Sequence, residues 1–245
     1  MRSAALVFLA ALAAAPASAQ ETSPYQALAA ELANPEMFEL AFRRMVDVDM
    51  RAVFLADPDI DAFEQECPGA IEALLTAATP LINELNDEGL VEYREALHGF
   101  LPTRISADDA RLAADFFASD LGRRFIRTVS AETGFRNSLE SGMSNDEGLI
   151  DRSAFERDQL AAARDGIAAL SVADLQAVTQ AFGTTSWGRT FAALGPEITD
   201  LKYRIVNADF TPEQDAALEN MMTDTVNAHA DACYEQGDTD KYTNK

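Results

Sequence analysis

Five of the nine prolines in this 245-residue chain follow directly on a residue that caps helices well: Ser23-Pro24, Asn34-Pro35, Asp57-Pro58, Thr79-Pro80 and Thr211-Pro212. Proline suits the first position of a helix, where its missing N–H has no intrahelical partner to lose and its fixed φ is already helical; in a helix or sheet interior it removes a hydrogen bond. Each pair therefore predicts a helix start. Ser106-x-x-Asp109, Ser153-x-x-Glu156 and Ser171-x-x-Asp174 add capping-box spacing. No segment sustains the apolar-polar alternation of a strand, so the punctuation predicts an all-α chain.

The apolar residues recur with helical spacing. Trp187, Phe191, Leu194, Ile198, Leu201 and Ile205 step by four and three along one face, with Gly195-Pro196 expected to kink or restart the helix. Leu218, Met222, Val226, His229 and Cys233 mark one side of a last helix, and Phe38, Phe42 and Met45 do so near the start. Such faces must bury one another, and with 48% hydrophobic residues the chain has enough of them for a helical bundle.

An internal similarity organises the middle of the chain. Ser106-Ala-Asp-Asp-Ala-Arg-Leu-Ala-Ala-Asp-Phe-Phe-Ala-Ser-Asp-Leu-Gly122-Arg-Arg-Phe125 is echoed, with one extra residue, by the stretch from Ser171 to Gly188-Arg-Thr-Phe191. Upstream, Asn86-Asp-Glu-Gly-Leu90 recurs as Asn145-Asp-Glu-Gly-Leu149. The order predicts a duplicated helix-turn-helix unit over about 70–140 and 141–210. In each copy a capped helix ends near Ser119 or Thr184-Thr185, whose hydroxyls can cap the next helix. Gly122 or Gly188 then stands in the first turn, at a cost of about 1 kcal/mol against alanine. Close approach of another helix is the most economical reason, with Phe125 or Phe191 filling the space beside it.

The segment from Ile105 to Phe125, ISADDARLAADFFASDLGRRF, resembles the signature of the DUF2059 family of exported bacterial helical proteins. The likeness is best over about 70–135, with a degenerate copy over about 170–210 in which Thr184-Thr185 replace the serine and Trp187 precedes the glycine. It implies an exported helical protein and carries no catalytic residue, cofactor or ligand.

The N-terminus reads as a leader: Met1-Arg2, an apolar run from Leu6 to Ala15, Pro16, and Ala17-Ser18-Ala19 as a cleavage pattern, with the cut expected after Ala19. The run is shorter than the roughly 20 residues a membrane span needs. Cleavage leaves 18 basic residues against 41 acidic ones, a net charge of −23, so nucleic acid and anionic lipid are poor partners. The expected layout is a leader over 1–19, a bundle over 20–236 and a flexible polar tail over 237–245, in a periplasmic protein.

Little here suggests catalysis. The two histidines, His98 and His229, lack partners at metal or triad spacing; His229 reads as a satisfied core residue and His98 as a helix-end residue. Asp57-x-Asp59-x-Asp61 opens like a calcium loop, but Ala62 and Pro68 stand where glycine and glutamate are needed, so capping is the better reading. Arg123, Arg124 and Arg127 form a small basic patch, read first as salt-bridged. Export and the presence of just two cysteines predict a Cys67–Cys233 disulfide, against the alternative of two free thiols. No metal or cofactor site is predicted. The expectation is a non-catalytic periplasmic interaction module whose partner is an envelope protein or small molecule. A carboxylate enzyme acting on envelope glycans or peptides, and a carrier of apolar ligands, stand as alternatives.

Overall fold

The computed structural model describes residues 22–243 except 146, 147 and 209, so the leader expected over 1–19 lies outside the described residues. The described chain is all-α, without strands. In chain order the helices are α1 (Pro24–Leu32), α2 (Pro35–Arg44), α3 (Arg51–Ala56), α4 (Pro58–Glu66), α5 (Ala70–Phe100), α6 (Ala107–Ala118), α7 (Asp120–Ala131), α8 (Arg136–Ser144), α9 (Arg152–Ala169), α10 (Val172–Thr184), α11 (Ser186–Ala193), α12 (Gly195–Val206) and α13 (Pro212–Thr243). A π-helical stretch, Met45–Met50, joins α2 to α3.

Most of the expected caps form. Ser23 and Gln26 close a reciprocal capping box on α1, and Thr211 and Gln214 do the same on α13. Asn34 accepts from the N–H of Glu36, and Asp57 accepts from those of Asp59 and Ile60, so the calcium-like triplet is a helix cap. Two expectations are corrected. Pro80 lies inside α5, not at a helix start: its ring forfeits one backbone bond, the Thr79 hydroxyl turns back to the Leu75 carbonyl at 2.6 Å, and packing along the rest of the 31-residue helix carries it through the break. Ser153 does not cap α9, which begins at Arg152 after Asp151, because Asp151 is already held by the Ser141 hydroxyl. The backbone of α13 is helical from Pro212 to Thr243, which includes most of the segment expected as a polar tail over 237–245.

Two clusters make the core. The larger joins Leu28, Ala29 and Ala33 of α1 and its end, Leu90, Tyr93 and Leu97 of α5, and Ala110, Ala113, Ala114 and Phe117 of α6, closed by Trp187 and Leu201. Alanines face each other across α1 and α6, so these helices pack closely and leave no groove there. The smaller cluster sets Phe42 and Val46 against Ile71 and Leu75. The early stripe thus splits, Phe38 joining the first cluster while Phe42 and Met45 join the second. Helix α5, about 46 Å long at 1.5 Å per residue, is the spine that both clusters share.

Candidate functional site

The two echoing turns adopt matching geometry. Ser119 ends α6 and caps α7: its hydroxyl donates to the Phe116 carbonyl at 2.5 Å and accepts from the Gly122 N–H at 3.1 Å. Thr185 does the same between α10 and α11, donating to the Ala181 carbonyl at 2.6 Å and accepting from Gly188 at 3.0 Å. A Cβ on Gly122 would lie 2.0 Å from the Phe116 carbonyl oxygen, and one on Gly188 would lie 2.3 Å from that of Ala181. Glycine is required because the end of the preceding helix folds back onto the first turn of the next. The helix that approaches is therefore the adjoining one, not a distant neighbour. The extra residue of the second copy is taken up at the end of α10, where the hydroxyl reaches back four residues instead of three.

The two turns interlock. Helix α6 packs on α11, and α7 on α10. Phe117 meets Phe191 at 5.2 Å between centroids, while Phe182 meets Phe125 at 5.9 Å, and Phe117 and Phe182 meet each other at 6.3 Å. Phe125 therefore packs against the opposite turn. The third helical residue of each copy, Asp109 or Asp174, is engaged by the other copy: Asp109 accepts from Ser186 at 2.7 Å and Asp174 from Arg124 at 2.7 Å. The Arg124 and Ser171 donors hold the Asp174 carboxyl below the usual aspartate range. Ser119, Gly122, Phe125, Gly188 and Phe191 thus belong to one junction of two turns.

Two buried carboxylates lie elsewhere. Asp158 on α9 is 4% exposed and accepts from the N–H and hydroxyl of Ser138 at 2.8 and 2.7 Å, and from the N–H and side-chain amide of Asn137 at 3.2 and 2.6 Å. Asp49, placed by the π-helical stretch, accepts from the N–H of Phe135 at 2.8 Å. Both acids therefore hold the α7–α8 turn and the start of α8, which has no cap of its own. Sequence reasoning missed them, since an acid inside one helix carries no mark that it caps another. Gly166 was missed as well: a Cβ there would sit 2.7 Å from the Cα of Val129, so it marks the crossing of α9 and α7, and its position inside a helix was the available signal.

Of the remaining candidates, Arg124 and Arg127 pair with Asp174 and Glu36, at 2.7 and 3.5 Å. With Arg123 they border a cleft of about 290 Å³ that also carries Glu31 and Glu36. A second depression, about 470 Å³ and open, is lined by Asp87, Glu88, Val91 and Glu92. Neither is an enclosed apolar pocket. Lys202 extends its Nζ over the Tyr93 ring at 5.6 Å, burial lowering the pKa of the lysine and raising that of the tyrosine, but neither depression reaches it. His98 is exposed in the last turn of α5, while half-buried His229 donates from Nε2 to the Cys67 carbonyl at 3.2 Å and meets Phe63 edge-on. Among the described residues no group of His, Cys, Asp or Glu is arranged to hold a metal ion, and no helix is long and apolar enough to cross a membrane. Cys67 and Cys233 form a disulfide with Cα atoms 5.7 Å apart. Compared with known proteins, the chain matches no family model, no curated protein and no solved structure.

Proposed function

We propose that the chain is a non-catalytic helical interaction module of the bacterial periplasm, exported by a leader cleaved after Ala19, that binds a basic envelope protein. The observation that carries this reading is an exposed apolar corner. Leu160 and Ile167, two turns apart on one side of α9, are 71% and 44% exposed; Val172 and Leu175, in the first turn of α10, are 73% and 37% exposed. Several large apolar side chains left open on successive helices favour a protein partner. The net charge of −22 favours a basic one. The disulfide supports an oxidising compartment. The resemblance of the Ile105–Phe125 stretch to the DUF2059 family fits the same reading.

The enzyme reading gains no support from the buried acids: Asp158 takes four donors from Asn137 and Ser138, Asp49 takes the Phe135 N–H, and neither lines either depression. The carrier reading gains none from two open depressions lined by charge. The reciprocal aromatic pairs support descent of the two turns from one duplicated unit.

The test places a photo-crosslinking residue at position 160 and exposes intact cells. Capture of one basic protein, lost in a Leu160→Glu/Val172→Glu variant with unchanged melting temperature, is the expected result. Equal capture by that variant, or turnover of a cell-wall polymer by the pure protein, refutes the proposal.

A further inference from the structure

We propose that the Cys67–Cys233 bridge is a redox-operated latch, and that the helix it holds, α13, is a detachable cover over one face of α5. From Pro212 to Glu235 no residue of α13 is buried; its inward side consists of half-exposed residues such as Leu218, Met221, Val226 and His229. The surface beneath it is different. The start of α13 is marked on α5 by Gln214, which donates to Glu88 at 2.9 Å, and the far end by His229 beside Gly69 and Cys67. The two helices therefore run antiparallel. Helical spacing puts Ala70, Leu74, Ala77, Leu81 and Glu88 on the covered side. Ala70 and Leu74 are only 2% and 7% exposed. A helix that covers core residues and contributes none is a lid.

One hold on this lid is covalent. The principal packing partner of α13 is α5. At its distal end the polar contacts gather around the bridge, where Tyr234 donates to Glu66 at 3.1 Å and His229 to Cys67. Segments with few buried contacts open at a small fraction of the global free energy, so the covalent bond decides whether this one stays closed.

The two halves of the bridge differ in exposure. Cys67 is fully buried, whereas Cys233 is half-exposed on the helix. A dithiol reductant attacks the Cys233 sulfur and expels the Cys67 thiolate. Its second thiolate then attacks the reductant's own sulfur in the mixed disulfide and expels the Cys233 thiolate. Two electrons and two protons pass to the cysteines, and the reductant leaves as a disulfide. Helix α13, still joined covalently to the body at its N-terminal end, swings away, uncovering Ala70, Leu74 and their neighbours.

The experiment is hydrogen exchange read by mass spectrometry on the full chain, oxidised and after dithiothreitol, with thiol alkylation confirming reduction. Exchange within 212–235 and 70–81 is expected to rise by about tenfold or more, while 107–131 and 172–206 keep their protection. A Cys67→Ala/Cys233→Ala variant is expected to show the same pattern without reductant. Unchanged protection of α13 in the fully reduced chain overturns the proposal. So does an equal rise over the whole chain, which would make the bridge a global staple.

Discussion

At the scale of single residues, the aromatic junction turns on two glycines. Each sits where the carbonyl of the preceding helix occupies the volume a Cβ would take, at 2.0 Å for Gly122 and 2.3 Å for Gly188. Backbone cannot move aside as a flexible side chain can, so Gly122→Ala should cost about 1–3 kcal/mol and lower the melting temperature by roughly 2–12 °C. Gly99, helical and with nothing within 4 Å, is the control: Gly99→Ala should raise stability by about 0.5–1 kcal/mol. Thermal unfolding followed by circular dichroism checks both signs. If Gly122→Ala behaved like Gly99→Ala, the close approach would not exist in solution. The hydroxyl–glycine–aromatic spacing was legible beforehand, because each residue acts within a few positions of itself. That Phe125 serves the opposite turn was not, since only the docking of α7 on α10 brings it there.

At the scale of elements, caps divide into those a helix carries itself and those it borrows. The self-made caps at Ser23, Asn34, Asp57, Ser106, Ser119 and Ser171 were all readable. The borrowed ones were not. Helix α8 takes Asp158 from α9, and α5, entered through Gly69 at φ 96°, takes Glu64 from α4. Burial works to raise the Glu64 pKa, but the backbone N–H donors of Ile71, Gly69 and Ala70, helped by the charge of His229, outweigh it and hold the carboxyl below the ordinary glutamate range. A depressed carboxylate pKa adds stability that is fully present above the unfolded value, about 4.3, and lost as pH falls through the folded one. Glu64→Gln should therefore cost about 0.5–2 kcal/mol at pH 7, the range for N-caps, and progressively less as pH falls through the folded pKa. Urea denaturation of both proteins at pH 7 and at about pH 3 measures the difference, and an equal gap at both would assign the loss to packing instead of charge.

At the scale of the whole molecule, excess negative charge acts against compactness. With 41 acidic residues against 19 basic ones, self-repulsion outweighs the surface ion pairs, each of which contributes at most about 1 kcal/mol. Arg104–Glu197 and Arg136–Glu140 are representative, with both partners substantially exposed. Raising the ionic strength from about 0.01 to 0.15 M shortens the screening length from about 30 to 8 Å and should raise the melting temperature at pH 7. A melting temperature that fell with salt would mean that the ion pairs matter more than the charge excess. The covalent counterweight is the single bridge, which closes a separation of 166 residues and ties the C-terminal helix to the α4–α5 corner.

What the sequence determined alone was local and statistical: all-α class, most helix starts, most residues of the inward stripes, and the pairing of the only two cysteines. Each depends on residues close in the chain or on simple arithmetic. Tertiary structure decided the rest. It carried α5 through Pro80, because packing on both flanks outweighs one lost hydrogen bond. It turned Met222 outward, 41% exposed, and placed Met221 on the inner side of α13, because the register of that helix on α5 is set by the bridge and by the Gln214–Glu88 contact. It sent Asp49, Asp158 and Glu64 to donors on other helices. A buried backbone N–H must be satisfied by whatever acceptor the fold brings within 3 Å, and which acceptor that is depends on how the helices pack.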